Sequence, residues 1–108
     1  MRLVIVTAPK EAAPKLGRQL IEEHLVACAN IIPSVRSIYT WGKRVVDEDE
    51  AMMLLKTTEE RVEELTRRIK ELHEYDVPEI ITVEIREDEG NPDYLAWVRE
   101  AVSDASSC

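Results

Sequence analysis

The chain has 108 residues and a formal net charge of −8 at pH 7, and 44% of its residues are hydrophobic. This length and composition suit one domain, residues 1–108, and exclude a disordered chain. The negative charge argues against a nucleic-acid partner, and no apolar run approaches the roughly 20 residues of a membrane span. The run MRLVIVTAP is too short to predict a signal peptide, and the two cysteines, Cys28 and Cys108, do not suggest a disulfide framework, so we expect a cytoplasmic protein.

The first two predicted elements are a strand and a helix. The apolar run from Leu3 to Val6 is typical of a fully buried strand. From Lys10 to His24 the apolar residues recur at helical spacing, and Pro14 falls in the first turn, where proline is tolerated.

Residues 27–57 predict a long β-hairpin, around which the rest of the chain is organised. β-branched and aromatic residues mark a first arm that reaches Trp41 and a second arm that starts at Val45, and Gly42 supplies the turn. Pro33 predicts a bend, a bulge or an edge position. Arms of about a dozen residues are twice the usual strand length, so the hairpin would overhang the domain. Its exposed edge and apolar face would then need a second subunit as cover.

The segment after the hairpin carries the signals of a second helix. The run TTEE predicts a capping box with Thr57 as the N-cap and Glu60 reaching back to it. Glu64 and Arg68 have the i,i+4 spacing of a favourable ion pair on the helix surface.

A further strand and a third helix complete the chain. Residues 80–86 alternate around Ile81 and Val83 as a strand does, and Asn91 with Pro92 predicts the start of the third helix. The order βαββαβ plus a terminal helix predicts an α+β fold of the ferredoxin-like sandwich type, with an extended β2–β3 hairpin.

The sequence shows no catalytic constellation. It contains no nucleophile–base pair, no HExxH or zinc-finger spacing and no glycine-rich phosphate loop, so we expect a protein that is not an enzyme. A polar and aromatic set remains as the candidate site, and its members are Tyr39, Trp41, Lys56, His73, Tyr75, Glu79, Tyr94 and Trp97.

Each part of this set also has a purely structural interpretation. Tyrosine and tryptophan recur at interfaces and pocket rims, and a histidine near a helix C-terminus is stabilised by the helix dipole. The acidic run from Asp47 to Glu50 is interpreted as a solvated face, although carboxylates can also collect hard cations.

Several motifs resemble one known family over nearly the whole chain, from Val4 to about Arg99. The motifs are ACANIIP at residues 27–33, SIYTW at 37–41, LKT at 55–57, LHEYDVPEI at 72–80 and YLAW at 94–97. Together they are similar to the divalent-cation tolerance protein CutA family.

The resemblance implies a homotrimer related in architecture to the PII signalling proteins, with hairpin arms of neighbouring subunits paired. It also implies a role in tolerance of divalent metal ions, with copper(II) or another divalent cation bound and no organic cofactor. Of the histidine and cysteine positions that some bacterial members use, only His73 matches. Glu74 and Glu79, or a neighbouring subunit, would have to supplement this single imidazole.

Two functions follow from these observations. The first is a cytoplasmic trimer that binds copper or a similar ion. The alternative is a PII-like sensor or scaffold that binds a small anionic ligand in the cleft between subunits. In the alternative, Lys56 would be the charge partner, and the cleft would be lined by Tyr39, Trp41, Tyr75, Tyr94 and Trp97.

Overall fold

The fold was analysed in a computed structural model, which describes residues 1–103, so Cys108 lies outside the described residues. Four strands and three α-helices follow one another in the predicted order. Their bounds are β1 Arg2–Ala8, α1 Ala13–Glu22, β2 Cys28–Trp41, β3 Arg44–Thr57, α2 Val62–Leu72, β4 Ile80–Glu84 and α3 Pro92–Ala101. No helix within this range is long and apolar enough to cross a membrane.

The four strands form one antiparallel sheet in the order β2-β3-β1-β4. β1 and β3 therefore lie in the centre, and β2 and β4 are the edges. This arrangement confirms the predicted α+β, ferredoxin-like sandwich.

The main core lies between one face of the sheet and the helices α1 and α2. On β1, every second side chain from Val4 to Ala8 points into this core, as the period of a strand requires. The other buried members are supplied by the helices and β3, and the largest are Leu16, Leu20, Met53, Leu55, Leu65 and Ile69. The helix α3 packs separately, with Val98 and Val102 against Met1 and Ala27.

The long hairpin is confirmed, with 14 residues in each arm. An arm of this length spans about 46 Å at roughly 3.3 Å per residue, which equals the longest dimension of the described chain, 46 Å. Apolar side chains near its tip are left uncovered in a single subunit: Trp41 is 65% exposed and Val45 is 76% exposed.

Two local features shape the hairpin. Gly42 is the first of two central turn residues and has a φ of +66°, the left-handed conformation that glycine adopts without strain. Pro33 and Ser34 of β2 lie opposite the single residue Ala51 of β3, which makes a β-bulge. The prediction from Pro33 is thus confirmed, since β2 is also an edge strand.

The predicted N-cap at Thr57 is wrong. Thr57 is the last residue of β3 and pairs with Arg2, and its buried hydroxyl donates to the carbonyl oxygen of Leu25 at 2.7 Å. α2 begins only at Val62, after a 3₁₀ turn over Glu59–Arg61. Strand pairing and a buried hydrogen bond therefore outweigh the local capping signal.

The predicted pairing of Glu64 with Arg68 is also wrong. Arg68 instead contacts Glu23 at the end of α1, at 2.8 Å, and Glu64 contacts Arg61 at 3.0 Å. The two helices are neighbours, so a contact between them replaces the pair within one helix. By contrast, the predicted start of α3 is confirmed, because the Asn91 side chain accepts the first free amide N–H of this helix, that of Asp93.

The last strand is shorter than predicted and its faces differ from the expected pattern. β4 ends at Glu84, and Ile80 is the residue that packs against the core. Ile81 and Val83 lie on the opposite face and are about half exposed. This face of the sheet is uncovered in one subunit.

Candidate functional site

A cleft of about 950 Å³ lies between the outer half of the hairpin and the loop that follows α2. We name it the acidic cleft; its members include Tyr39, Trp41, Glu48, Glu50, Glu74, Tyr75, Asp76, Val77, Pro78 and Glu79. Five carboxylates line it, and none of its lining residues is a lysine, arginine or histidine. The cleft is therefore an environment that favours positive charge.

The hairpin register brings the first acid of the cleft against an aromatic ring. Tyr39 lies opposite Val46, so Glu48 is a diagonal neighbour on the same face of the hairpin. The Tyr39 hydroxyl donates to Oε1 of Glu48. This hydrogen bond, together with the negative charge of the acceptor, raises the pKa of Tyr39 to about 12.

Glu50 is the buried acid of the acidic cleft, with only 5% of the residue exposed. Its Oε1 accepts a hydrogen bond of 3.1 Å from the Tyr75 hydroxyl. Burial, reinforced by this hydrogen bond, raises the pKa of Tyr75 to about 12. Within residues 1–103, no basic group forms an ion pair with Glu50.

His73 lies beside the acidic cleft and is already engaged through both ring nitrogens. Nδ1 accepts the amide N–H of Tyr75 at 3.0 Å, and Nε2 lies 2.8 Å from the carbonyl oxygen of Thr7. Nδ1 must be the unprotonated nitrogen, so Nε2 carries the hydrogen and donates to Thr7. No ring lone pair is left over for a metal ion in this arrangement.

The two carboxylates predicted to assist His73 do not complete a metal site with it. Glu74 and Glu79 are exposed and line the acidic cleft. No group of three histidine, cysteine, aspartate or glutamate side chains in the described part of the chain could hold a metal ion. The assignment of His73, Glu74 and Glu79 to a metal stays a prediction, and it would need ligands from a second subunit.

Lys56 belongs to a different cluster, which also contains Tyr94 and Trp97. Its ammonium group donates to Oδ1 of Asn30 and lies 6.0 Å from the centre of the Tyr94 ring. The Tyr94 and Trp97 rings are 5.5 Å apart. Cys28 also contacts this cluster, with its Sγ 4.0 Å from Nζ of Lys56.

The structure thus divides the predicted ligand cleft into two places. Tyr39, Trp41 and Tyr75 line the acidic cleft, whereas the Lys56 cluster lies elsewhere. Glu50 and Lys56 are six residues apart on β3, which corresponds to about 20 Å. One cleft containing all six predicted residues would require two subunits.

Sequence reasoning missed Glu48 and Glu50, which it assigned to a solvated acidic run. Strand alternation separates the run into two faces. Asp47 and Asp49 point the other way and are paired with basic side chains, and the hydrogen bond from Arg36 lowers the pKa of Asp47. The period of two within a predicted strand was the signal that could have distinguished the two pairs of acids.

Comparison with known proteins gives one consistent result. The sequence profile of the CutA1 divalent ion tolerance protein family matches residues 2–101. The divalent-cation tolerance protein CutA of Thermus thermophilus is 44% identical over 99 residues, covering 91% of this chain and 94% of the relative. The Pyrococcus horikoshii protein of the same name is 44% identical over 101 residues, covering 93% and 96%. The chain spans only 58% of the longer chloroplastic CutA 1 of Oryza sativa.

The solved structures agree with the sequence comparison. The PII-like protein CutA from Nostoc sp. PCC 7120 superposes with a TM-score of 0.90 at 33% identity, covering 94% of this chain and 97% of the other. The Thermus thermophilus divalent cation tolerance protein gives a TM-score of 0.89 at 43% identity, covering 95% and 100%. The sheet, the long hairpin and the three helices are thus shared with proteins of this name.

Proposed function

The chain belongs to the CutA1 divalent ion tolerance protein family, and we propose that it acts in the cytoplasm as a homotrimer that responds to divalent metal ions such as copper(II). The acidic cleft is the observation that carries this proposal. It concentrates five carboxylates without a basic residue among them, so it attracts cations. The proposed activity is binding rather than catalysis.

The proposed trimer is supported by the surface that one subunit leaves uncovered. Ile38, Trp41 and Val45 are 63%, 65% and 76% exposed on the outer part of the hairpin. The edge strands β2 and β4 also present unpaired backbone groups. Pairing of these edges between neighbouring subunits would cover both the backbone groups and the apolar side chains. Light scattering in dilute buffer should give about three times 12.4 kDa, and a stable monomer would refute this proposal.

The described residues of one subunit do not fit a copper site. His73 has no free ring lone pair, and the nearby carboxylates are oxygen ligands of the kind that suits harder cations. A divalent ion bound here would therefore draw ligands from two subunits or bind with low affinity.

Calorimetric titration of copper(II) against a competing chelator tests the metal proposal. Tight, stoichiometric binding that is lost in His73→Ala would place His73 among the ligands. Loss in Glu79→Gln, with the same charge change at exposed Glu63→Gln as the control, would place the site in the acidic cleft. Weak binding that none of these variants alters would contradict the metal proposal.

The Lys56 cluster favours the second candidate, a PII-like trimer that binds a small anionic ligand between subunits. An ammonium group beside two aromatic rings could pair with a carboxylate or phosphate and stack a planar group. Trp97 fluorescence in a Trp41→Phe variant would report such binding, and Lys56→Met should abolish the response. If no small anion at millimolar concentration changes the emission, this candidate loses its support.

A further inference from the structure

We infer that the basic turn of the hairpin, formed by Lys43 and Arg44, enters the acidic cleft of a neighbouring subunit and pairs there with Glu50. The inference rests on the proposed trimer, and it adds the ionic contact that joins each subunit to the next. In this assembly the acidic cleft receives a second copy of the chain and is not an open pocket. The exposed carboxylates of Glu74 and Glu79, on the loop after α2, stay available to a divalent ion.

Glu50 carries a charge that a single subunit does not neutralise. Taking a carboxylate out of water is costly unless a cation or several hydrogen bonds replace the lost hydration. Only 5% of Glu50 is exposed, yet its single hydrogen-bond donor in residues 1–103 is the neutral Tyr75 hydroxyl. Because Glu50 lines the acidic cleft, a cation that enters this cleft from another subunit reaches the carboxylate.

The missing cation does not come from the turn of the same hairpin. Arg44 is the first residue of β3 and Glu50 is the seventh. Six steps of roughly 3.3 Å put the two residues about 20 Å apart along the strand. This separation exceeds the reach of an arginine side chain, so the base that pairs with Glu50 has to belong to another subunit.

The hairpin turn carries two adjacent bases without a carboxylate partner in their own subunit. Lys43 and Arg44 are exposed, and neither forms an ion pair among residues 1–103. Of the other bases in this range that form no ion pair, Lys56 donates to Asn30. The rest lie on α1 and α2, outside the hairpin and the edge strands that the proposed trimer covers. The turn is therefore the best-placed source of positive charge.

The turn also extends far enough to meet a neighbour. β3 pairs with β1 only from Ala51 to Thr57, so residues 44–50 continue beyond the body of the sheet in an arm made of β2 and β3 alone. A contact between the turn of one subunit and the cleft of the next is heterologous, and three-fold symmetry repeats it until the ring closes. All three clefts are filled in this way.

The apolar surfaces beside the two charged groups match as well. Val45, next to the basic turn, is 76% exposed, and Val77, on the loop that lines the acidic cleft, is 74% exposed. Docking removes apolar surface on both sides from water while it brings opposite charges together. It also opposes the mutual repulsion of subunits that each carry a net charge of −8.

A double-mutant cycle on the stability of the trimer tests this contact. Lys43→Met combined with Arg44→Met removes both bases of the turn, and Glu50→Gln removes the charge of the cleft while it keeps an acceptor for Tyr75. The readout is the dissociation constant of the full-length trimer, from sedimentation equilibrium at a urea concentration that partly dissociates the wild type. Within one subunit the two sites are too far apart to couple. A non-additive effect therefore reports a contact between subunits.

The double turn variant should raise the dissociation constant about tenfold or more, because each interface loses an ion pair and leaves a buried carboxylate without its cation. Glu50→Gln should weaken the wild-type trimer but cause no further loss in the turn variant, where its charge has no partner. Arg67→Met combined with Lys70→Met is the matched control, since it removes an arginine and a lysine from exposed positions of α2. This control should leave the constant within about twofold of wild type.

Two results would overturn the inference and leave the proposed trimer intact. An unchanged dissociation constant in the turn variant would show that its bases lie outside the interface. Equal losses from Glu50→Gln in both backgrounds would show that the turn does not meet Glu50. If circular dichroism shows that Glu50→Gln does not fold, Glu48→Gln removes a second carboxylate of the same cleft and takes its place under the same criterion. A wild-type protein of monomeric mass would instead refute the trimer itself.

Discussion

The imidazole of His73 and the backbone carbonyl oxygen of Thr7 are joined by a hydrogen bond of 2.8 Å. This bond ties the loop after α2 to the end of β1. The other ring nitrogen accepts the amide N–H of Tyr75, whose hydroxyl in turn contacts Glu50. His73 therefore holds one wall of the acidic cleft in place, a role that requires no metal.

Replacing His73 by alanine should lower the free energy of unfolding by about 1–2 kcal/mol, because two backbone groups lose their partner. The measurement is urea denaturation with a chelator present, at one fixed protein concentration. The His73→Gln variant retains a side-chain amide donor, so its free energy of unfolding should fall by less. Equal stability of wild type and His73→Ala in the chelator would show that these hydrogen bonds contribute nothing.

Replacement of the other histidine, His24, should stabilise the protein. His24 follows α1 with a φ of +59°, and the amide of Leu25 closes a six-residue turn on the carbonyl of Leu20. This is the position of a Schellman motif where glycine is preferred, and a side chain there costs about 1 kcal/mol. His24→Gly should therefore raise the free energy of unfolding by up to about 1 kcal/mol. Destabilisation in the same urea experiment would contradict this.

Much of the fold could be predicted from residue patterns within single elements. The two hairpin arms, the turn at Gly42 and the bulge at Pro33 follow from side-chain period and backbone chemistry, which act over a few residues. The cap at Asn91 is equally local. These features needed no knowledge of what packs against them.

The failures involve partners that are distant in sequence. Thr57 is a good N-cap by its local sequence, but the hydroxyl bonds to Leu25, 32 residues away. Arg68 finds Glu23 across the helix interface, 45 residues away. The prediction of the candidate site was incomplete for the same reason. Residue type was enough to identify its aromatic residues, but only the strand register separates Tyr39 from Lys56 and places Glu50 beside Tyr75.

The contact between Glu23 and Arg68 should make stability depend on acidic pH. Hydrogen bonds from Arg68 and then Gln19 lower the pKa of Glu23. A lowered folded-state pKa stabilises the protein above the unfolded value of about 4.3, and this stabilisation is lost as pH falls through the folded value. Glu23→Gln should thus cost about 1 kcal/mol at neutral pH.

Urea denaturation of wild type and Glu23→Gln at a series of pH values checks this dependence. The difference in the free energy of unfolding between the two proteins should be constant down to about pH 5 and disappear at more acidic pH. Exposed Glu63→Gln is the control and should show no such convergence. A difference that stays the same at every pH would mean that the charge of Glu23 is not responsible.

The hydrogen bond between Tyr39 and Glu48 should be visible in alkaline titration. The pKa of Tyr39 is raised to about 12, mainly by the hydrogen bond to Glu48 and then by burial of the Tyr39 ring and by the negative charge of Glu48. In Glu48→Gln the repelling charge is gone, so the pKa of Tyr39 should move back toward the usual value of about 10. The absorbance of tyrosinate near pH 11 should then increase relative to wild type.

The raised pKa of Tyr39 also determines how the stability of the protein changes at alkaline pH. A pKa raised in the folded state stabilises the protein below the unfolded value of about 10, and this contribution is lost as pH rises toward about 12. The difference in stability between wild type and Glu48→Gln should therefore shrink over this range. Tyr39→Phe identifies the titrating ring, because it should remove the part of the absorbance change that Glu48→Gln alters. If Glu48→Gln leaves the titration unchanged even though Tyr39→Phe alters it, Tyr39 titrates without sensing Glu48, and the contact does not form in solution.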